Sequence, residues 1–225
     1  MEARPSLYRN IHKAVRSLLL EITMKSGRVD FTDAAAVATF RIELQQALAL
    51  LSAHAEHENA FVGVALQQYA PGVQEALGGE HEDQELWFHQ LLAAADALDP
   101  RAGDAAVRGH ELVVRLSRVV GELLVHMADE EEVAMPVLWS TMDDASIIDL
   151  EQRLVASVPP DEMGRWLVYM LPSLNTPERI ELLSGLQAGA PPEVFAGVRT
   201  LAKQLLSREE DAALERGLAT TMAVF

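Results

Sequence analysis

A histidine motif that occurs twice constrains the fold of this 225-residue chain more than any other feature. The motif is one histidine followed, roughly forty residues later, by His-x-x-x-Glu. Its residues are His12, His54 and Glu58 in the first copy and His81, His126 and Glu130 in the second. Residues four apart lie on the same face of a helix. The repeat therefore supplies the donors that a two-metal centre inside a four-helix bundle requires.

The composition favours helices. Apolar residues make up 49% of the chain and aromatic residues only 5%. Alanine and leucine, which are good helix formers, dominate the apolar residues. No cysteine is present, so disulfides and thiolate-ligated metal sites are excluded. We therefore expect an all-α protein.

The charge and the apolar pattern limit the partners. A formal net charge of −16 argues against binding to nucleic acid or to anionic membrane surfaces. No continuous apolar run approaches the eighteen or so residues of a membrane helix, and the N-terminus lacks the pattern of a signal peptide. We expect a cytoplasmic protein with no membrane or nucleic-acid partner.

The periodicity of apolar residues predicts four long helices in the first part of the chain. Pro136 lies inside the fourth, where a kink or an early end is expected. Residues 78 and 79, a glycine pair, are interpreted as the break before the third helix. The predicted helices cover residues 6–24, 32–69, 80–99 and 104–141. Together they predict an up-down-up-down four-helix bundle over residues 1–143.

Residues 144–225 differ from the bundle because helix-start signals recur at short intervals. These signals predict four or five short helices. They are Ser146 with Asp149, Thr176 with Pro177, Pro191-Pro192-Glu193, and Ser207 with Glu210. We expect a helical extension that packs on the bundle or forms a homodimer contact.

Each predicted bundle helix places a histidine within its apolar stripe, with the spacing of a bundle core. In the first helix one face carries His12, Val15, Leu19 and Ile22. In the third helix one face carries His81, Glu85, Phe88, Leu92 and Ala95. In the second and fourth helices the stripes continue from Leu51 and Leu123 through the two His-x-x-x-Glu segments. All four histidines are then expected to lie toward the same end of the bundle.

Two buried glutamates among four buried histidines need compensation, because an isolated buried carboxylate costs several kcal/mol. Metal ions provide it. The alternative is that the two His-x-x-x-Glu segments form ion pairs or face solvent. Imidazole and carboxylate ligands suit iron, manganese or zinc, and an arrangement with two bridging glutamates leaves open positions on each ion. That open, redox-permissive geometry favours iron.

The two segments resemble the hemerythrin-like family, also called the HHE cation-binding domain. HAEHE at 54–58 and HMADEEEVAMPVL at 126–138 carry the resemblance, which covers residues 6–142. Residues 157–196 are similar to a tail found on many bacterial members. The resemblance implies two non-haem iron ions, oxo- or hydroxo-bridged, in a left-handed four-helix bundle. It also implies that the four histidines are terminal ligands and that Glu58 and Glu130 bridge the ions.

One position departs from the oxygen-carrying members of that family, which have His-x-x-x-His on the third helix. Here the second position is Glu85, which is either a third carboxylate ligand or hydrogen-bonded to a ligand or to water. His57 is an alternative ligand to His54 if the second helix is rotated. His89 and His110 lie off the predicted stripes.

Three functions follow from these residues. The first is a non-haem di-iron protein that binds O2 or senses oxygen or redox state. The second is a di-iron enzyme that acts on peroxide or nitric oxide, which Glu85 favours. The third is a regulatory interaction protein that uses metal only for folding. The expected small-molecule partners are a diatomic ligand or peroxide.

Overall fold

The computed structural model describes residues 4–222, with side chains as far as residue 220. This part of the chain contains helices and no strand, which confirms the all-α class. Two compact units are distinguished. The first consists of Leu18–Val158 and the N-terminal residues up to Arg9, and the second consists of Asn10–Ser17 and the residues from Pro159 onward.

Between residue 4 and Val158 the structure contains seven helices, and two of the connections between them are π-helical turns. The turns are Asn59–Gly63 and Glu130–Ala134. The helices are α1 (Arg9–Ser26), α2 (Ala34–Glu58), α3 (Val64–Tyr69), α4 (Pro71–Asp96), α5 (Ala105–Asp129), α6 (Met135–Thr141) and α7 (Asp144–Ser157). The residues of α1 are divided between the two units, because its Asn10–Ser17 stretch is grouped with the second.

The predicted second helix matches the continuous run from α2 to α3. Asp33 caps the start of α2, where its side chain accepts a hydrogen bond from the Ala35 backbone N–H at 2.8 Å. Such a cap satisfies one of the amide groups that a helix start leaves unpaired. The run ends at Tyr69, just before Pro71, as the sequence predicts.

The predicted break at Gly78 and Gly79 is wrong. Helix α4 begins at Pro71, which occupies its first turn, and continues through both glycines to Asp96. Proline is well suited to the first turn of a helix, and a helical glycine costs only about 1 kcal/mol relative to alanine. Burial of the neighbouring Leu77 and His81 on this helix offsets that cost.

The irregularity expected at Pro136 takes the form of a π-helical turn rather than an end. The backbone N–H of Met135 donates to the carbonyl of Glu130, five residues earlier. Pro136 then lies in the first turn of α6, where its missing N–H does little harm. The helical run therefore continues to Thr141, the predicted end.

The core of the first unit next to these turns joins α3, α6 and α7 to the N-terminal segment. Tyr8, Leu66, Leu138 and Ile147 are each at most 1% exposed and belong to one apolar cluster. Ile147 lies on α7, so this helix packs with the first unit, although the sequence placed it in the C-terminal extension.

The second unit contains four described helices from Pro159 onward, and its core is aliphatic. Leu171, Leu183, Ala202 and Leu214 are fully buried. Together with α7, these four helices bring the number of described short helices to five, within the predicted four or five. They are α8 (Pro160–Ser173), α9 (Thr176–Gly189), α10 (Pro192–Leu205) and α11 (Arg208–Met222).

Two of the predicted helix starts shift by one or more residues. Asp143 rather than Ser146 caps α7, since the Ser146 backbone N–H donates to Asp143 at 2.8 Å. Asn175 rather than Thr176 caps α9, in a reciprocal capping box with Glu178. In each case a stronger acceptor precedes the predicted residue.

One helical stretch in the described part, Ala34–Tyr69, is long and apolar enough to cross a membrane by length and composition alone. Within its apolar window, 39% of the residues are buried inside the protein. Core helices of soluble proteins meet the same criterion, so a single such stretch is weak evidence for membrane insertion. The absence of a membrane partner stays a prediction.

Candidate metal centre

Four buried side chains of the first unit bring their donor atoms together. Glu58 is the last residue of α2, His81 lies in α4, His126 lies near the end of α5, and Glu130 begins the second π-helical turn. One ligand atom from each lies within 4.8 Å of the others, and all four residues are buried. Two carboxylates and two imidazoles from three separate helical runs therefore form one group.

The distances within this group are those of a compact cluster. His81 Nε2 lies 3.6 Å from a Glu58 carboxylate oxygen and 3.9 Å from one of Glu130. His126 Nε2 lies 3.5 Å from the same Glu130 oxygen. One carboxylate oxygen of Glu130 therefore lies within 4 Å of both imidazole rings.

The two imidazole rings are held from outside the group by oxygen acceptors. His81 Nδ1 lies 2.9 Å from Oδ1 of Asn59, and His126 Nδ1 lies 2.6 Å from Oε2 of Glu80. A carboxylate only accepts hydrogen bonds, so His126 carries a proton on Nδ1. The same tautomer suits His81, and each neutral ring then presents the lone pair of Nε2 to the cluster.

The Nε2 atoms of His81 and His126 are only 2.8 Å apart. Two lone pairs at that distance repel each other unless a proton or a metal cation lies with them. The flanking carboxylates of Glu58 and Glu130 add two negative charges in a buried place, which a cation would compensate. The donor set thus fits a metal ion, and imidazole with carboxylate suits iron or zinc.

Without a metal the pair of histidines shares its charge unequally. Burial and the neighbouring His126 lower the pKa of His81 to about 4. Burial also opposes protonation of His126, but the hydrogen bond and charge of Glu130, followed by Glu80, raise its pKa to about 9. The carboxylates beside His126 thus favour its charged form, and that charge opposes protonation of His81.

His54 and His57 are distinguished by their surroundings. His54 Nε2 lies 3.2 Å from a carboxylate oxygen of Glu58, and its side chain is only 13% exposed. The ring of His57 instead contacts the Ser157 hydroxyl at 3.3 Å. The structure therefore places His54 beside Glu58, and the choice of ligand between His54 and His57 stays a prediction.

His12 is fully buried on α1. It belongs to the Asn10–Ser17 stretch that is grouped with the second unit. Its burial agrees with the predicted apolar stripe of this helix, in which Val15, Leu19 and Ile22 are also buried. Its role as a ligand stays a prediction.

The expectation that Glu85 faces the core is wrong. Its side chain is 49% exposed and lies 3.7 Å from the ring of His89, and its carboxylate accepts a hydrogen bond from the Ser52 hydroxyl at 2.7 Å. Gln84, only 5% exposed, occupies the buried position one residue earlier. In an α-helix, Gln84 and Glu85 lie on either side of the line that runs through His81 along the helix. The packing of α4 buries Gln84 and leaves Glu85 exposed.

Three residues near the group were missed by the sequence reasoning. Asn59 and Glu80 are the acceptors described above. Tyr8 is 1% exposed, and burial, followed by the charges of Glu130 and Glu58, raises the pKa of its phenol. Tyr8 precedes His12 by four residues, so helical spacing could have placed both on one face. Asn59 and Glu80 are adjacent in sequence to candidate ligands, but neither belongs to a periodic pattern that would have predicted its contact.

Both His-x-x-x-Glu segments lead into a π-helical turn. The first turn follows Glu58 directly, and the second begins at Glu130 itself. Such turns insert an extra residue into a helix and are frequent at functional sites. The repeat seen in the sequence is thus also a repeat of backbone structure at the candidate ligands.

Comparison with known proteins gives one distant similarity. The chain is 23% identical over 190 residues to the zinc finger protein BRUTUS-like of Arabidopsis thaliana. The match covers 81% of this chain and 15% of that protein. This chain contains no cysteine, so it holds no thiolate ligand for a zinc finger. No protein family model and no solved structure matches the chain.

Proposed function

We propose that this chain is a non-haem iron protein that holds two iron ions and binds O2 or senses oxygen or redox state. The observation that carries the proposal is the buried group in which two Nε2 atoms, 2.8 Å apart, face two carboxylates. A group with this charge and these lone pairs is stabilised by a cation.

The repeat in the sequence assigns the ligands of the two proposed ions. One ion takes His81 and His126, and the other takes His12 and His54. Glu58 and Glu130 are shared between the ions. This assignment requires the helices that bear these residues to run alternately up and down, as the sequence predicts. The buried carboxylates and the 3.2 Å approach of His54 to Glu58 support it.

Iron with mixed imidazole and carboxylate ligands changes oxidation state and binds small diatomic molecules at open positions. The protein supplies a dry environment for that chemistry. Leu51, Phe88 and Leu123 are at most 5% exposed and lie within two helical turns of candidate ligands on α2, α4 and α5. By helical spacing, these buried apolar residues lie on the same helix faces as the candidate ligands.

Binding or sensing is favoured over turnover of peroxide or nitric oxide. The sequence argument for an enzyme depended on Glu85 as a third carboxylate ligand, and Glu85 is exposed and bonded to Ser52. An enzyme acting on peroxide or nitric oxide is therefore the alternative outcome of the test below. A homodimer and a cytoplasmic location stay predictions.

The test is metal content and the optical spectrum of the purified protein, reconstituted anaerobically with ferrous iron and then exposed to O2. We expect about two irons per chain and visible charge-transfer bands that appear with O2 and reverse on its removal. Multiple turnovers with peroxide would instead establish the enzyme. No iron uptake after reconstitution would refute the proposal.

A matched pair of variants distinguishes the loss of a candidate ligand from the loss of any histidine. His126→Ala removes a buried candidate ligand, whereas His89→Ala removes a histidine whose side chain is 71% exposed. We expect His126→Ala to lose at least one iron and His89→Ala to keep both. Full iron occupancy in His126→Ala would refute the ligand assignment.

A further inference from the structure

Glu80 connects the buried candidate ligands to solvent. Its carboxylate lies 2.6 Å from Nδ1 of His126, and its side chain is 44% exposed while that of His126 is 6% exposed. An anionic acceptor at this distance makes a strong, charge-assisted hydrogen bond. Because the carboxylate keeps contact with water, its charge does not carry the full cost of burial.

The bond crosses between helices. Glu80 precedes His81 on α4, but its side chain reaches His126 on α5. The same arrangement occurs at the end of α2, where Asn59 follows Glu58 and accepts from His81 on α4. A residue next to one candidate ligand thus orients the ligand of the neighbouring helix.

We propose that Glu80 is a positioning residue of the iron site, which holds the His126 ring with Nε2 toward Glu130 and adds a negative charge beside it. The assignment rests on the proposed function. Acceptors of this kind fix the tautomer of a ligating imidazole and increase its basicity. Their charge also favours the more positive oxidation state of the ion.

Two consequences follow for iron binding. Loss of the acceptor frees the His126 ring to rotate and to present the wrong nitrogen, so affinity falls. Loss of only the charge leaves the ring in place but favours ferrous over ferric iron. The change is then read in the one-electron reduction of Fe3+ to Fe2+ by an external reductant. An ordinary surface ion pair would change neither quantity.

The experiment compares Glu80→Ala and Glu80→Gln with matched changes at Glu82. Glu82 lies two residues further along α4 and is exposed, so its variants control for net charge and helix composition. Ferrous iron affinity is measured by anaerobic competition with a chelator, and the ferric/ferrous midpoint potential by a reductive titration followed optically. Circular dichroism melts check that each variant folds.

We expect Glu80→Ala to weaken iron binding at one position by about 10- to 100-fold, the usual effect of removing such an acceptor. Glu80→Gln keeps an oxygen acceptor, so we expect a smaller loss of affinity together with a raised midpoint potential. The Glu82 variants should match the wild type in both measurements.

The assignment is overturned if Glu80→Ala binds iron like the wild type, or if the Glu82 variants show equal effects. It is also overturned if the Glu80 variants change only the melting temperature. A wild-type protein that takes up no iron refutes the proposed function together with this assignment. Iron uptake with unaffected Glu80 variants refutes only the positioning role.

Discussion

Gly109 on α5 is a position where adding a single methyl group should destabilise the first unit. An ideal Cβ at Gly109 would lie 2.0 Å from Cγ and 2.6 Å from Cβ of Phe31. Phe31 is 8% exposed and packs edge-to-face on Phe40, with ring centroids 6.2 Å apart. Because the Cβ of Phe31 is also too close, rotating its ring cannot relieve the clash, and the backbone must shift.

The size of the effect follows from two opposing contributions. Overpacking a closed core costs about 1–3 kcal/mol, and a contact with Cβ favours the upper part of that range. Replacing a helical glycine with alanine gains about 1 kcal/mol. We therefore expect Gly109→Ala to lower the free energy of unfolding by about 1–2 kcal/mol, which corresponds to about 2–8 °C in Tm for a chain of this size.

Gly121 on the same helix provides the matched control. It is exposed, and a Cβ added there meets no atom within 4 Å. Gly121→Ala should gain helix propensity with no clash, raising the free energy of unfolding by about 0.4–1 kcal/mol. Thermal and urea unfolding followed by circular dichroism measure both variants. If Gly109→Ala is as stable as Gly121→Ala, the packing of Phe31 against α5 is refuted.

Three further predictions concern the metal, acid stability and a helix cap. Ferrous iron at about 100 times its Kd should raise the free energy of unfolding by about 2.7 kcal/mol. If thermal melts show that iron stabilises His126→Ala as much as the wild type, the proposed iron site is refuted. The hydroxyl and backbone N–H of Ser207, and then Arg179, lower the pKa of Glu210 to about 2. Because this folded-state pKa is depressed, its stabilisation is present above about pH 4.5 and is lost as pH falls toward 2. The Tm difference between wild type and Glu210→Gln should therefore shrink over that interval, and a constant difference would refute the linkage. Asp33→Ala should cost about 1 kcal/mol in urea unfolding, and an unchanged midpoint would show that the cap contributes nothing.

Local sequence rules located the capped start of α11 but placed the starts of α7 and α9 after their true capping residues, Asp143 and Asn175. The capping pair of Ser207 and Glu210 is observed, with the Ser207 backbone N–H 3.0 Å from the Glu210 carboxylate. The rules failed at Gly78 and Gly79, because glycine only weakens a helix and burial of adjacent residues on α4 outweighs its cost. A glycine pair alone therefore does not identify a helix end.

The donor residues of the candidate site could be predicted because their spacing is local. A histidine and a glutamate four residues apart share a helix face whatever the tertiary structure. The structure confirms that Glu58, His81, His126 and Glu130 are buried together. Ligation of iron, including by His12, stays a prediction.

The sequence by itself determined the helical class and the identity of the candidate donors, because both depend on residue type and on spacing within one helix. The tertiary structure alone decided how each helix is rotated and which residues meet across helices. It turned Gln84 inward and Glu85 outward, and it brought Glu80 on α4 to His126 on α5. Such contacts depend on how neighbouring helices pack, and the periodicity within a single helix does not predict them.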